Sequence, residues 1–516
     1  MSNVEQWQIA KPPARGRHGV VAAQHTLGAE AGIEVLKAGG NAVDAALATA
    51  FALAVAEPWM SGLGGCGYML VYDAAARQVT TIDFGTRAPA ALDPAAFPLA
   101  PGAAADSDLF GWPEVVGQRN VFGPLSIGLP SSVAGFALAS ERFGKLPWKE
   151  LLKPAIALAK QGHRVEWWTT LKVAGEAAAL QQNPAAAAVY LPDGLPPLAA
   201  DTGTSFLDMG RLADTLTRLA EAGPADFYRG DIAKALVADL AAVGSWLSAE
   251  DLAACQALAV EPLSCARNGA TIHLAPGLTA GPTFADALGR LPDLPTGTPG
   301  PAAYRAYADA MAPAIAERLE TLGHDGDLAG QGCTTHLSVA DGAGNMVTLT
   351  NTLLSLFGSK VVSPATGVLL NNGIMWFDPR PGRPNSLAPG ARPLCNMCPA
   401  LVTRDDAPWF AVGASGGRRI MPAVFQTVSF LVDCGLDLEA AVHQPRINLD
   451  GGPAVEADPR LGADILDAIA AGHALLPMEA LTAPNHYANP QIALVTPAGL
   501  EGAAQVYHPA ATAIAY

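Results

Sequence analysis

Clustered positive charge is what this sequence most clearly lacks. Its 31 Lys and Arg are outnumbered by 47 Asp and Glu, for a formal net charge of −16, and no strong basic run interrupts that balance. Neutralising a phosphate backbone takes clustered Lys and Arg, so the composition argues against a nucleic-acid partner. Long apolar runs are missing too. The stretch 42–56 is apolar except for Asp44, ends at Glu57-Pro58 and is too short to span a bilayer, so it reads as a buried helix and no membrane partner is expected. Residues 1–17 are polar and have no apolar core of a secretion signal, from which a cytoplasmic location is expected. The seven cysteines, Cys66, Cys255, Cys265, Cys333, Cys395, Cys398 and Cys434, are scattered and odd in number, which speaks against a disulfide framework. Cys395 and Cys398 have CxxC spacing but no second pair and no thioredoxin-like context, so they read as buried thiols. The ten histidines form no HxH or HxxxH pair, leaving a metal site without support, and nothing calls for a cofactor. No Gly-x-Ser-x-Gly elbow is evident. The glycine-rich segment 61–67 lacks a Lys-Ser/Thr ending and runs into a strand, which excludes a phosphate-cradling loop.

What is present is a large hydrophobic inventory. Half of the 516 residues are hydrophobic, ample for a globular chain with a sizeable core. Helical patterns are expected at 29–38, closing on Gly39-Gly40-Asn41, and at 42–55, 134–143, 148–161, 212–222, 232–242 and 302–322. A strand is expected at 68–72, a long loop at 92–122 and a connector at 291–301. From Thr334 onward the pattern turns strand-rich, with a junction near 323–333.

The segment 331–352 carries the clearest local geometry. Two β-branched runs flank Asp341-Gly-Ala-Gly-Asn345, a hairpin pattern. A turn centred on Ala343 makes cross-strand numbers sum to 686, setting Ala340 against Met346, Val339 against Val347 and Thr334 against Thr352. Two threonine hydroxyls would then be neighbours, unless a bulge shifts the pairing. Alternation puts His336 on the same face as Thr334, where it reads chiefly as supporting structure.

Eight segments in order, covering almost the whole chain, resemble the γ-glutamyltransferase family of N-terminal-nucleophile hydrolases. They are 36–46 (LKAGGNAVDAA), 62–69 (GLGGCGYM), Asp83-Phe84 with Ala88-Pro89, 130–135 (PSSVAG), 223–230 (GPADFYRG), 334–339 (TTHLSV), 367–372 (GVLLNN) and 415–419 (SGGRR). The resemblance implies an α+β fold, a four-layer αββα sandwich. It implies a precursor that cuts its own Cys333–Thr334 bond, leaving segments 1–333 and 334–516 as intertwined parts of one unit. Thr334 would then be the catalytic nucleophile and its freed α-amino group, with a reference pKa of about 8, the base within the same residue. Thr352 matches the family's orienting threonine, and Gly416 and Gly417 match its oxyanion-binding N–H pair.

The expected substrate clamp departs from the family pattern. Where the family has an arginine after the Asp-Phe pair this chain has Gly85, and Arg87 follows two residues later, either as a replacement ligand or as a surface residue. The family's acidic residue beyond Asn372 is replaced by Trp376, with Asp378 two positions further on. Its paired serines become Cys395 and Asn396, its acyl-site asparagine becomes Leu354, and Arg418 stands where serine is usual. Loss of these polar ligands together redirects specificity. The favoured reading is therefore hydrolysis or transfer of an amide-linked acyl group other than classical γ-glutamyl, with Arg87, Asn372, Trp376, Cys395, Asn396 and Arg418 around it. One alternative is a γ-glutamyl enzyme acting on glutathione-like substrates with a rearranged clamp. Another is an inactive binding homologue. The partners expected are a small-molecule amide and a water or amine acceptor, with the two segments associating with each other and a homo-oligomer left open.

Overall fold

The computed structural model describes residue 7 and residues 9–102, 112–322, 333–484 and 486–516. Two seven-stranded sheets form its middle. In the first, the hairpin sheet, the order is Thr512–Ala515, Gly19–Ala23, Cys333–Asp341, Met346–Leu354, Cys66–Asp73, Gln78–Phe84 and Leu258–Val260. In the facing sheet it is Ala14–Gly16, Gly499–Ala504, Asn489–Thr496, Ala407–Ser415, Ala400–Arg404, Ala270–Leu274 and Leu263–Arg267. Neighbouring strands in both are antiparallel. Each sheet draws strands from before and after Thr334.

Period-two alternation sorts these strands into layers. Along Cys66–Asp73, Cys66, Tyr68, Leu70 and Tyr72 pack into the space between the sheets, while Met69 and Val71 pack outward. Outside the hairpin sheet lie helices that include Thr26–Lys37, Ala42–Ala56, Ser132–Phe143 and Trp148–Gln161; outside the facing sheet lie Gly281–Arg290, Pro301–Thr321 and Ile420–Val432. Three apolar cores thus fill the three interfaces of an αββα sandwich, and a smaller cluster around Phe97 and Phe377 seats a surface loop. Ala42–Ala56 is buried on every side, and its small side chains let a sheet and a helix both close on it. The single charge in that run, Asp44, caps it: Asn41 and Asp44 form a reciprocal capping box, and Asp44 also accepts from the backbone N–H of Lys145 and Leu146.

Helices Trp148–Gln161 and Leu212–Ala222 match their sequence patterns, and Thr26–Lys37 starts three residues ahead of its pattern, capped by His25. The strand-rich reading beyond Thr334 misses Ile420–Val432. That helix is buried all round, so its β-branched run carries no amphipathic stripe. Ahead of Thr334, Trp167–Leu180, Gly281–Arg290 and the early strands Gly19–Ala23 and Gln78–Phe84 are elements the sequence pattern does not delimit. The junction 323–332 lies outside the described residues, as do 103–111 of the expected loop. Among the described residues no helix is long and apolar enough to cross a membrane.

Candidate active site

The hairpin keeps its expected register from Ala340↔Met346 down to Thr335↔Asn351. There it slips by one: Cys333 pairs with Leu354, so Thr334 alone stands opposite Thr352 and Leu353. The direct Thr334–Thr352 pairing is thus replaced by a bulge, which re-aims side chains locally. The two hydroxyls still meet, Thr334 Oγ1 donating to Thr352 Oγ1 at 3.3 Å, and both residues are buried. Thr352 Oγ1 also accepts from the backbone N–H of Leu354 at 2.8 Å. Leu354 itself has φ of +86°, a left-handed conformation rare outside glycine and a place where the bulge stores strain.

Buried groups hold this pair from below. The His336 ring hydrogen-bonds Thr350 Oγ1 at 2.9 Å and Ser338 Oγ at 3.1 Å, and Ser338 Oγ donates to the Gln491 carbonyl across the sheets. Burial drops the His336 pKa to about 3, so the ring is neutral and structural. It rests on Gly413, where any Cβ would overlap the imidazole. The glycine-rich segment braces the hairpin from the side: a Cβ on Gly65 would lie 2.5 Å from the Thr352 carbonyl oxygen, and one on Gly67 would overlap that of Thr350.

The facing sheet brings Gly416 and Gly417 toward the same end. Thr348 Oγ1 donates to the Val412 carbonyl, and His336, paired with Thr350, sits on Gly413. Both contacts climb in the direction of Thr352 on one strand and Ser415 on the other. Gly416 (φ +139°) and Gly417 (φ +62°) then turn the chain into helix Ile420–Val432. Glycine suits such angles, and a helix N-terminus directs N–H groups at developing negative charge.

Around the threonine pair the inter-sheet core is apolar. Leu354, Trp376, Cys395 and Met397 belong to one cluster with Trp112. Burial pushes the Cys395 and Cys398 thiols up to about 11 and about 12, so neither is a ready nucleophile. Asn372 is fully engaged, its Nδ2 donating to the Val121 carbonyl and Ser355 Oγ and its Oδ1 accepting from Ser355 N–H. Asp378 is buried and its carboxylate is taken up by Arg380. Arg87 is exposed, with its charge felt by the Cys255 thiol. A residue the sequence reading missed, Arg392, occupies the space beside Gly85: it pairs with Asp83, bonds Tyr68 Oη at 3.2 Å and would lie 2.6 Å from a Cβ on Gly85. No local pattern marked it, since its partner Asp83 lies 309 residues earlier in the chain. Asn396 and Arg418 line one cavity, and Arg418 reaches the Asp450 carbonyl and lies over the Trp112 ring at 5.9 Å.

The family model described as gamma-glutamyltranspeptidase matches residues 28–331 and 324–514. An acylase ACY 1 proenzyme from Pseudomonas sp. (strain V22) is 34% identical, with 91% of this chain and 89% of the relative covered. A glutathione hydrolase proenzyme from Bacillus subtilis (strain 168) is 31% identical over 84% of this chain and 81% of the relative. The crystal structure of a cephalosporin acylase from Bacillus halodurans superposes with a TM-score of 0.84 at 25% identity, covering 100% of this chain and 99% of that one. With the sandwich, the hairpin and the glycine turn in place, these likenesses make the chain a member of the gamma-glutamyltranspeptidase family of hydrolases and transferases.

Proposed function

We propose that Thr334 is the nucleophile that first cuts this chain and then turns over amide substrates. The observation that carries the reading is the buried Thr334–Thr352 hydroxyl pair, at 3.3 Å, on a bulge at the end of the hairpin. In the precursor, Thr334 Oγ attacks the Cys333 carbonyl carbon, the peptide C–N bond breaks, and water opens the resulting ester. This leaves a carboxylate on Cys333 and a free amine on Thr334. In turnover that amine takes the hydroxyl proton as Oγ attacks a substrate amide carbonyl, and the oxyanion faces the Gly416 and Gly417 N–H groups. The C–N bond then breaks, the amine leaves with the proton, and the acyl ester passes to water or to another amine. Segments 1–333 and 334–516 remain one body.

The acyl group is other than classical γ-glutamyl. Trp376 and Leu354 are apolar where an ammonium reader is needed, and Asp378 is committed to Arg380. The acylase names among the relatives favour the same direction. Arg392 beside Gly85 favours a second reading, a γ-glutamyl enzyme with a relocated arginine. Glutathione and a glutaryl 4-nitroanilide offered side by side decide between them. Faster release from the glutaryl amide, a small fragment whose N-terminal sequence starts at Thr334 and an acyl mass on that fragment are expected. Comparable glutathione turnover defeats the substrate reading, and a single uncut chain that behaves identically with Thr334→Ala defeats the nucleophile.

A further inference from the structure

Beside the Gly416–Gly417 turn lies a cavity whose walls include Arg318, Asn396, Arg418 and Asp450 among apolar Ile315 and Met421. Arg318 comes from helix Pro301–Thr321, on the same buried stripe as Tyr304, Tyr307, Met311 and Ile315, where an apolar residue is the usual occupant. It is only 7% exposed. Its Nη1 donates to the Thr279 carbonyl at 2.6 Å and more weakly to Thr283 Oγ1 at 3.4 Å, and its Nη2 donates to the Cys395 carbonyl at 2.5 Å. All three acceptors are neutral, and among the described residues no carboxylate lies within ion-pair distance of it. Asp450, the acid in the same wall, instead accepts from Gly452 N–H through Oδ1.

A guanidinium has five N–H donors, so Nε–H and one Nη2–H remain without an acceptor among the described residues, and such donors are the kind that hold a carboxylate. Burial lowers the Arg318 pKa to about 10, which leaves it charged at neutral pH. Buried charge without an opposite partner is costly, and a residue of the same wall carries a second unmet donor: Asn396 Nδ2 is buried and has no partner among the described residues. Arg392 differs in this respect, because Asp83 already neutralises it.

We propose that Arg318 and Asn396 form a carboxylate-recognising subsite, and that this enzyme's substrates are amides bearing a carboxylate that docks there. The substrate half of this inference rests on the reading of Thr334 as nucleophile; the binding half does not. The carboxylate belongs either to the acyl group or to the departing amine, and matched pairs separate the two. One pair is glutaryl and pentanoyl 4-nitroanilide; the other is the pentanoyl amides of 4-aminobenzoate and aniline. In one pair, the wild-type kcat/KM is expected to favour the anionic member about 10- to 100-fold, the span of a charge-assisted hydrogen bond. Arg318→Met should bring that ratio to within about threefold, and Asn396→Ala, on a connecting segment away from the helix, should lower it in the same pair. In parallel, glutarate and 4-aminobenzoate are titrated into the wild-type protein with Tm as readout. One of them should raise Tm in the wild type and fail to do so in Arg318→Met. Ratios near one in both pairs, with neither anion raising the wild-type Tm, overturn the subsite. So does an Arg318→Met protein that still cuts itself and keeps both the ratio and the Tm response. Turnover that survives Thr334→Ala overturns the nucleophile instead, and leaves the Tm arm to judge Arg318 separately.

Discussion

Thr334 and Thr352 stand close although one strand carries an extra residue there, and the hydroxyl contact depends on a single oxygen at Thr352. Thr352→Val keeps the β-branched shape and removes that oxygen. It should slow both self-cleavage and acyl release by roughly 10- to 100-fold, about 1.4 to 2.7 kcal/mol of barrier, while Thr352→Ser retains most of both rates. Following fragment appearance on denaturing gels and 4-nitroaniline release would check this; a Val variant as fast as the wild type would remove Thr352 from the mechanism. This pair was legible in the sequence because hairpin register is local arithmetic around one turn. The slip at the strand end was not, since a bulge depends on what packs against it. Arg392 and Arg318 were unreadable for a different reason: each acts across more than 70 residues of chain, on Asp83 and on the Cys395 carbonyl. The absent arginine at Gly85 could be seen, but not that Tyr68 and Arg392 fill its space.

At the level of elements, glycines set how closely strands and loops approach the hairpin. Gly413→Ala would drive a methyl into the His336 ring, and Gly67→Ala would drive one into the Thr350 carbonyl. Each should cost about 1 to 3 kcal/mol or more and reduce self-cleavage, as overpacking does in a closed core. Gly175 offers the contrast: it lies within helix Trp167–Leu180 with open space around its Cα. Gly175→Ala should stabilise by about 0.5 to 1 kcal/mol. Urea midpoints for the three variants test the set, and a Gly413→Ala protein as stable as wild type would mean the sheets are looser than described. Elements with a one-sided pattern, such as Trp148–Gln161, could be read directly. Ile420–Val432 could not, because full burial erases the periodicity on which such reading relies.

For the molecule as a whole, strands from both sides of Thr334 share both sheets. The cut protein should therefore elute as one particle of about the precursor's size in native chromatography and give two bands only after denaturation. Fragments that part under native conditions would contradict the interleaving. Acid should weaken the same body. Burial first, with neighbouring positive charge at His25, holds His25, His163 and His336 near pKa values of about 3, about 4 and about 3, below the ordinary 6.5. Unfolded chains bind those protons first, so stability is present above about pH 6.5 and is lost as pH falls toward 3 to 4. Each histidine contributes at most about 1.4 kcal/mol per pH unit in that window. Urea midpoints at pH 7.5 and 5.0 should fall accordingly, and His336→Gln should flatten the slope; a pH-independent midpoint would contradict neutral burial.

The division into three cores has a consequence for how this sequence is free to drift. The outer helical layers each pack on one sheet, and where their helices reach solvent many exchanges of similar size leave the centre untouched; Ala42–Ala56 and Ile420–Val432, buried on every side, are the exceptions. The middle layer answers to two sheets at once, and its polar end, with Thr334, His336, Ser338, Thr348, Thr350 and Thr352, shares space with Gly413 and Gln491. Variation in substrate choice among related chains should accordingly collect at the rim of that layer, where residues such as Asn396 and Arg418 sit, while its interior stays nearly fixed.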